Sequence, residues 1–261
     1  MSNQKINAFL LDMDGTTYLS NKLLPGAFDF IKYLDNQKIK YLFFTNNPSS
    51  SVLDYVKKFH KLGLKQIQEK NIITSGQATI EYLKKNKINK IYLLATPSYT
   101  KEIIKAKIKL TAKNPQAVVL SFDKTITYNK LETAAHLLQN KKIKYIATNP
   151  DLVCPTAKGP IPDCGSMAAL LEKSTGRVPL YIGKPHAGMI NAAVKRLKIN
   201  KKNMALIGDR LYTDIKMAND QGLTSILVLS GETKKNDLNK SPYKPDYIYK
   251  NLREVLNNIN K

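Results

Sequence analysis

The sequence contains little cysteine and no long apolar run, which argues against a disulfide-stabilised, a zinc-stabilised or a membrane-spanning protein. Cys154 and Cys164 are the only cysteines in 261 residues, too few for a disulfide framework or a self-contained zinc site. No apolar stretch is long enough to span a bilayer. Residues 1–9 lack the basic and apolar segments of a secretory signal. We therefore expect a cytoplasmic protein with reduced thiols.

Acidic residues and arginine are also scarce. The chain has 42 lysines and arginines against 20 acidic residues, which gives a formal charge of +22. Nearly all of these cations are lysine, and the arginines are Arg177, Arg196, Arg210 and Arg253. Dedicated nucleic-acid sites favour arginine, because its forked side chain matches phosphates and guanine edges. We therefore expect no specific nucleic-acid site. The lysine excess indicates either a positive field that attracts phosphate substrates or a bias of genome composition.

Short apolar runs alternate with segments of helical spacing along the chain. The runs that predict buried strands are residues 6–11, 41–44, 72–73, 91–94, 118–120, 145–147, 180–182, 205–207 and 226–229. The helical patterns include residues 25–36, 50–62, 131–139, 166–172, 189–197 and 214–220. This alternation predicts an α/β protein with parallel βαβ units in a doubly wound, Rossmann-like sheet. The polar segment 234–245 is predicted to be a loop.

Polar side chains directly follow several of the predicted strands. They are Asp12 and Asp14, Thr45 and Asn46, Lys184, and Asp209. In open parallel sheets, ligands bind beyond the carboxyl ends of the strands. We therefore expect these acids, the hydroxyl, the amide and the lysine to meet at one edge of the sheet.

The segment Asp12-Met13-Asp14-Gly15-Thr16 places two carboxylates at alternate positions before a glycine turn. Two neighbouring carboxylates can hold different roles, so Asp12 can act as a nucleophile and Asp14 as an acid and base. The backbone N–H groups of the turn can hold a phosphate. A calcium loop is excluded, because its sixth and twelfth positions would be Thr17 and Leu23 instead of glycine and glutamate.

The remaining strand-end residues suit a metal and a phosphate. Asp209 can complete an all-oxygen Mg²⁺ site with the Asp12 carboxylate and the Asp14 backbone carbonyl. We expect Asp214 to order these ligands, or alternatively to cap the following helix. The Lys184 ammonium offsets the repulsion between these carboxylates and an incoming phosphate dianion. The Thr45 hydroxyl and the Asn46 amide can donate to phosphate oxygens.

Four segments in this order resemble the motifs of the haloacid dehalogenase-like (HAD) hydrolase superfamily. They are Asp12-Met13-Asp14-Gly15-Thr16, Thr45-Asn46-Asn47, Gly183-Lys184-Pro185 and Gly208-Asp209…Thr213-Asp214. The chain is most similar to the NagD / 4-nitrophenylphosphatase-like subfamily, subclass IIA, which carries a C2-type cap. Three middle segments also resemble that subfamily: residues 121–131, residues 147–151 and Gly165-Ser166. The resemblance covers essentially the whole chain.

The resemblance implies a role for each matching residue. Asp12 would be the nucleophile that forms an aspartyl-phosphate, and Asp14 would protonate the leaving group and then activate water. The phosphoryl group would be bound by Thr45, Asn46, Asn47 and Lys184. Mg²⁺ would be held by Asp12, the Asp14 carbonyl and Asp209, with Asp214 and Thr16 surrounding these ligands.

The resemblance also implies a divided architecture. Residues 1–77 and 182–261 would form the catalytic core, and residues 78–181 an inserted C2 cap domain that selects the leaving group. Asn149, Asp151 and Cys154 are the candidate specificity residues of the cap. The chain departs from the family pattern at Asp163, which replaces a glycine, and at Cys154, where some relatives carry histidine; the alternative for Cys154 is a small buried filler.

The predicted function is therefore the Mg²⁺-dependent hydrolysis of small organic phosphate monoesters. Candidate substrates are nucleoside monophosphates, sugar phosphates, phosphoglycolate, pyridoxal phosphate and p-nitrophenyl phosphate. Two alternatives stay open: a basic nucleic-acid-binding protein on a vestigial hydrolase fold, and phosphotransfer to an acceptor other than water. We expect a small phosphorylated metabolite as partner, no membrane, and a homodimer through the cap, with a monomer as the alternative.

Overall fold

The computed structural model describes residues 6–156 and 158–259 of the chain. Residues 1–5, which belong to the segment predicted to lack a secretory signal, lie outside the described residues. The chain is divided into two compact units. The first unit comprises Met1–Thr45, Tyr55–Ile73 and Ile190–Lys261, and the second comprises Asn46–Asp54 and Thr74–Met189. Residues 46–54, 74–77 and 182–189, predicted as core, thus belong to the second unit, and the assignment of catalytic domains stays a prediction.

Strands and helices alternate along the described chain. The strands are β1 (Ala8–Leu11), β2 (Tyr18–Leu19), β3 (Lys22–Leu23), β4 (Lys40–Thr45), β5 (Ile72–Thr74), β6 (Lys90–Leu94), β7 (Lys109–Leu110), β8 (Ala117–Leu120), β9 (Lys144–Ala147), β10 (Val153–Cys154), β11 (Ile161–Pro162), β12 (Leu180–Tyr181), β13 (Met204–Gly208), β14 (Thr224–Val228) and β15 (Tyr247–Tyr249). The α-helices are α1 (Ala27–Asn36), α2 (Val52–Lys61), α3 (Ser75–Lys85), α4 (Pro97–Lys105), α5 (Tyr128–Leu138), α6 (Cys164–Thr175), α7 (Gly188–Leu197), α8 (Lys216–Gln221), α9 (Asp237–Lys240) and α10 (Leu252–Asn258). A π-helical turn, Leu211–Ile215, precedes α8.

The first unit is built on a six-stranded sheet in the order β15-β14-β13-β1-β4-β5. The pairs from β15 to β4 are all parallel. All four residues of β1 are buried, as expected for a central strand with both faces covered. In register, Leu11 pairs with Ile207 of β13 and with Phe43 of β4, so the carboxyl ends of these three strands lie side by side.

The second unit has its own five-stranded sheet, in the order β12-β9-β8-β6-β7, with every pair parallel. Its central strand β8 is fully buried. The two sheets confirm the predicted α/β class with a doubly wound core and an inserted α/β unit. One expectation is wrong: the strand before Lys184 does not belong to the sheet that carries Asp12. Its residues Leu180 and Tyr181 pair with β9, and an apolar run alone does not reveal its partner.

Helix starts follow from capping residues. Thr74, Thr96 and Thr127 each accept a backbone N–H from the first turn of the helix that follows, at α3, α4 and α5. Asp163 does the same for α6. The predicted loop 234–245 is partly wrong, because Asp237–Lys240 form one helical turn there. Among the described residues, none of the helices combines the length and apolar content needed to cross a bilayer.

Candidate active site

Two neighbouring strands of the first unit each deliver an aspartate at their carboxyl ends. Asp12 follows β1, and its backbone N–H donates to the Ile207 carbonyl of β13 at 2.8 Å. Asp209 follows Gly208, the last residue of β13. The parallel pairing therefore brings Asp12 and Asp209 to the same edge of the sheet, as the sequence predicts.

A third aspartate joins them from the π-helical turn. Asp12, Asp209 and Asp214 each offer one carboxylate oxygen, and these oxygens lie within 4.8 Å of one another. All three residues are buried, and Asp214 is fully so. We call these three residues the aspartate cluster. Thr16 contributes a hydroxyl that donates to Asp209 Oδ1 at 3.3 Å.

Glycines make room for the aspartate cluster. A Cβ at Gly231 would lie 1.9 Å from Asp209 Oδ2, and one at Gly208 would lie 2.3 Å from Asp214 Cγ. Gly15 has a φ of +88°, and a Cβ there would lie 2.6 Å from Asp209 Oδ2. No side chain can be added at these positions without displacing a carboxylate.

Burial raises the pKa of Asp209 well above its ordinary value, and the Asp12 and Asp214 carboxylates raise it further. Arg210 and the backbone N–H of Glu232 oppose this rise, and that N–H donates to Asp209 Oδ2 at 2.7 Å. Three buried carboxylates facing one another repel strongly unless a cation neutralises them. The donors are all oxygens, which suits a hard divalent cation of the Mg²⁺ type.

Asp214 has a further contact at the helix start. Its Oδ2 accepts the backbone N–H of Arg210, which precedes the π-helical turn, at 3.2 Å. The N-cap position of α8 is Ile215, which makes no side-chain cap. Asp214 therefore stabilises the start of the π-helical turn rather than that of α8, and it places a carboxylate in the aspartate cluster as well.

Asp14 is half-buried in the turn after β1. It forms an isolated bridge with Tyr18, and the Gly15 N–H donates to the Tyr18 carbonyl at 2.9 Å. Its side chain is not one of the three in the aspartate cluster. The carboxylates of Asp12 and Asp14 thus have different surroundings, which suits different chemical roles. Thr45 is buried at the end of β4, beside β1.

The second unit collects a different set of predicted residues around Asn46. The Asn46 amide nitrogen donates to Asp151 Oδ2 at 2.7 Å and to the Lys184 carbonyl at 3.0 Å. The Asn46 amide oxygen accepts the Lys184 N–H at 2.7 Å. Both N–H groups of the Asn46 side chain thus donate within the protein in this structure, and phosphate binding by Asn46 stays a prediction.

Asn149 continues this arrangement. Its amide nitrogen donates to Asp151 Oδ2 at 2.8 Å and to Asp163 Oδ1 at 3.1 Å. Asp163 Oδ1 also accepts the Cys164 N–H at the start of α6. Asn149, Asp151 and Asp163 are all buried. We call Asn46, Asn149, Asp151 and Asp163 the amide-carboxylate chain.

Asn47, Cys154 and Cys164, which the sequence analysis named, also belong to the second unit, as does His186. The Asn47 amide oxygen accepts the Ser49 N–H at 3.0 Å, and its nitrogen lies 3.9 Å from Cys154 Sγ. Cys154 is half-buried rather than the buried filler of the alternative interpretation. Cys164 is fully buried, and burial raises the pKa of its thiol to about 12. His186 is exposed, stacks at 6.5 Å on Tyr181, and lies just before α7.

Sequence reasoning missed the loop after β14. Ser230 donates to the Gly15 carbonyl at 2.8 Å, and Glu232 supplies the N–H to Asp209. Glu232 also accepts from Arg210 Nε at 2.8 Å. The only signal was Gly231, a glycine directly after a predicted strand, which can mark a close approach of backbone to a site.

Family models and curated relatives both place this chain in the same hydrolase family. A model described as haloacid dehalogenase-like hydrolase matches residues 9–109, and one described as HAD-hydrolase-like matches residues 181–255. The chain is 30% identical to ribonucleotide monophosphatase NagD of Escherichia coli over 96% of this chain and 98% of that protein. It is 32% identical to the acid sugar phosphatase of Staphylococcus saprophyticus over the whole of both chains.

A solved structure agrees with these relatives. The 4-nitrophenylphosphatase of Thermotoga maritima superposes with a TM-score of 0.93 and 43% identity, covering 98% of each chain. The likeness thus covers nearly all of this chain. The chain therefore belongs to the NagD-like branch of the haloacid dehalogenase-like hydrolases and is a phosphoric monoester hydrolase.

Proposed function

We propose that the chain hydrolyses small organic phosphate monoesters in a Mg²⁺-dependent reaction that passes through an aspartyl-phosphate on Asp12. The observation that carries this proposal is the aspartate cluster, in which three buried carboxylate oxygens lie within 4.8 Å of one another. A buried cluster of like charges is stable only with protons or a cation, and a cation bound here would also offset the charge of an incoming phosphate.

In the first half-reaction, Asp12 acts as the nucleophile. Its carboxylate attacks phosphorus, the bond to the ester oxygen breaks, and the phosphoryl group is transferred to the aspartate. When bound, Mg²⁺ supplies positive charge to the phosphoryl oxygens. Asp12 and Asp209 would hold it through their carboxylates and Asp14 through its carbonyl, with Asp214 and Thr16 around them.

Asp14 would act twice. It first gives a proton to the leaving ester oxygen and then takes one from the water that hydrolyses the aspartyl-phosphate. Asp14→Asn should lower turnover of alkyl phosphates by roughly 10²–10⁴-fold. It should slow phosphorylation by p-nitrophenyl phosphate much less, because nitrophenolate leaves without a proton. Rapid-quench measurement of both substrates checks this, and equal losses in the phosphorylation step would contradict the acid role.

Phosphate binding is proposed for Thr45, Asn47 and Lys184. A hydroxyl, an amide and an ammonium donate to the phosphoryl oxygens, and the lysine offsets their charge. Asn46 belongs to the same sequence motif, and its amide already binds the Lys184 backbone.

The names of relatives support a small phosphorylated metabolite as substrate. They include a ribonucleotide monophosphatase, acid sugar phosphatases and a dihydroxyacetone phosphatase. We propose nucleoside monophosphates and sugar phosphates as the first classes to test. A cytoplasmic location, the absence of specific nucleic-acid or membrane partners, and a homodimer through the second unit are part of the same proposal.

The test is phosphate release from a panel of phosphorylated metabolites and p-nitrophenyl phosphate, with Mg²⁺ and with EDTA. We expect release with Mg²⁺ that EDTA abolishes, and the ranked turnover then identifies the substrate class. Release that is insensitive to EDTA would contradict the metal-dependent mechanism. Loss of the ester without release of phosphate would indicate transfer to another acceptor, and no reaction would overturn the proposal.

A further inference from the structure

The Asn46 side chain uses all of its hydrogen-bond donors inside the protein. One N–H reaches Asp151 and the other reaches the Lys184 carbonyl. An amide has only two such donors, so none is left for a substrate phosphate. Asn46 therefore needs another explanation than direct phosphate binding by its amide.

The Asn46 amide binds the Lys184 backbone at two points. It accepts the Lys184 N–H at 2.7 Å and donates to the Lys184 carbonyl at 3.0 Å. Gly183 makes this approach possible, because a Cβ there would lie 2.5 Å from the Asn46 amide oxygen. A two-point contact fixes the orientation of the peptide groups on both sides of the Lys184 Cα. The direction in which the lysine side chain leaves the backbone is then fixed as well.

Asp151 and Asn149 fix the amide in turn. Asp151 Oδ2 accepts from Asn46 at 2.7 Å and from Asn149 at 2.8 Å. Asn149 reaches on to Asp163, the capping residue of α6. The chain of hydrogen bonds thus links the start of a twelve-residue helix to the backbone of Lys184. Buried networks that are fully satisfied hold their members in one arrangement.

We propose that Asn46, Asp151 and Asn149 are positioning residues, which hold the Lys184 backbone so that its ammonium meets the transferring phosphoryl group. This inference rests on the proposed function, because it says which residues orient Lys184, one of the proposed phosphate-binding residues. Asn149 and Asp151 then influence the reaction through Lys184 rather than as the specificity residues predicted from the sequence. Their burial, at 0% and 2% exposed, favours this role over contact with a variable leaving group.

An exchange of side chains between positions 46 and 151 tests the proposal. Asn46→Asp keeps the size and the oxygen that accepts the Lys184 N–H, but it turns two attractive contacts into repulsive ones. Asp151→Asn keeps an oxygen acceptor without its charge. In the double variant, the new amide at position 151 can donate to the new carboxylate at position 46.

We expect Asn46→Asp to lower kcat roughly 10- to 100-fold, because a small misplacement of a catalytic group has effects of this size. Asp151→Asn should lower kcat about three- to tenfold, since a neutral oxygen accepts more weakly than a carboxylate. The double variant should recover about tenfold over Asn46→Asp. KM should change by less than about threefold in all three, because the loss falls on the transition state.

Two controls separate positioning from folding. Thermal unfolding of each variant is measured, and kcat is determined well below the unfolding midpoint, where all protein is folded. Asn129→Asp makes the same substitution at an exposed position at the start of α5 and should leave kcat unchanged.

Three outcomes overturn the inference. They are an Asn46→Asp variant with wild-type kcat, a double variant no faster than Asn46→Asp, and a loss confined to stability. These outcomes differ from failure of the proposed function. The proposed function fails when the wild type releases no phosphate, or when Asp12→Asn remains active. The inference alone fails when the wild type is active and Asp12→Asn is inactive, but one of the three outcomes above is found.

Discussion

Both units of the molecule bury aspartates, but the groups that face these carboxylates differ. In the first unit, the carboxylates of Asp12, Asp209 and Asp214 face one another. In the second unit, amide groups separate Asp151 from Asp163, and the Asn149 nitrogen donates to both. Glycines make room in each case, Gly231 for the aspartate cluster and Gly183 for the Asn46 amide.

The difference shows what a buried carboxylate can be used for. Neutral N–H groups donate to both Asp151 and Asp163, and such hydrogen bonds lower the cost of burying a carboxylate. In the aspartate cluster, burial and the neighbouring Asp12 and Asp214 carboxylates raise the pKa of Asp209. A cluster of this kind suits a cation, whereas we propose that the amide-carboxylate chain is a scaffold.

Replacing an aspartate by asparagine should lower kcat far more in the aspartate cluster than in the amide-carboxylate chain, and this is the largest difference we expect. Asp12→Asn removes the proposed nucleophile, and we expect kcat to fall by more than about 10³-fold, since an amide does not form the covalent intermediate. Asp151→Asn should reduce kcat only about three- to tenfold. Phosphate release from p-nitrophenyl phosphate measures both. Comparable losses of kcat in the two variants would contradict the separate roles proposed for the aspartate cluster and the amide-carboxylate chain.

Replacing a glycine by alanine beside the aspartate cluster, or beside the Asn46 amide, should lower activity in both cases, but only the first loss should depend on the Mg²⁺ concentration. Gly231→Ala puts a Cβ against Asp209, so we expect kcat/KM to fall roughly tenfold or more and to recover partly with excess Mg²⁺. Gly183→Ala puts a Cβ against the Asn46 amide, and its loss should not respond to Mg²⁺. Titration of activity with Mg²⁺ separates the two.

The matched control for the glycine variants is Gly188→Ala at the start of α7. A Cβ there has its nearest neighbour at 3.3 Å and touches neither region. Its Mg²⁺ dependence should equal that of the wild type. An identical response to Mg²⁺ in Gly231→Ala and Gly183→Ala would contradict the assignment of the metal to the aspartate cluster alone.

Stability should depend on pH and Mg²⁺ through the first unit. Because the folded-state pKa of Asp209 is raised, the metal-free folded protein holds more protons than the unfolded chain above about pH 4. The free energy of unfolding without metal therefore falls as pH rises through that range. Mg²⁺ replaces these protons, so at the same ion concentration it should stabilise the protein more at about pH 8 than at about pH 5.

Thermal unfolding with Mg²⁺ and with EDTA at both pH values checks this expectation. Asp209→Asn should raise the stability of the metal-free protein near neutral pH and abolish the effect of Mg²⁺. A Mg²⁺ stabilisation that is equal at both pH values, or that survives in Asp209→Asn, would show that the ion binds elsewhere.

The smallest effect is expected at the far end of the amide-carboxylate chain. Asp163→Ala removes the cap of α6 and the acceptor for Asn149, and it should lower the free energy of unfolding by about 1–2 kcal/mol. Asp163→Asn keeps an acceptor and should cost less than half of that. Chemical denaturation measures both. A loss in Asp163→Asn as large as in Asp163→Ala would indicate that charge, not capping, is what matters there.

Much of the first unit could be predicted from the sequence, because its signals are local. Apolar runs followed at once by Asp12 and Asp209 predict two strands and the aspartates at their carboxyl ends, and the structure brings these aspartates together. The π-helical turn that brings in Asp214 was not predictable, since its residues have an ordinary helical pattern. The loop that carries Glu232 was also missed, because a backbone N–H contributes to the site whatever the side chain is.

The second unit shows where local signals fail. Lys184 follows an apolar run, as Asp209 does, yet its strand pairs with β9 of another sheet. Sheet partners are decided by tertiary packing, which a run of apolar residues does not encode. The departure at Asp163 could not be interpreted from the sequence, because its partners Asn149 and Cys164 are identified only by the fold.

The most direct test of the central claim is to trap the phosphorylated enzyme. The protein is mixed with p-nitrophenyl phosphate and Mg²⁺, quenched in acid within one turnover, and the peptide containing Asp12 is analysed by mass spectrometry. We predict one added phosphoryl group on Asp12 of the wild type and none in Asp12→Asn or with EDTA. A phosphoryl group on another residue, with turnover retained in Asp12→Asn, would contradict the proposed mechanism.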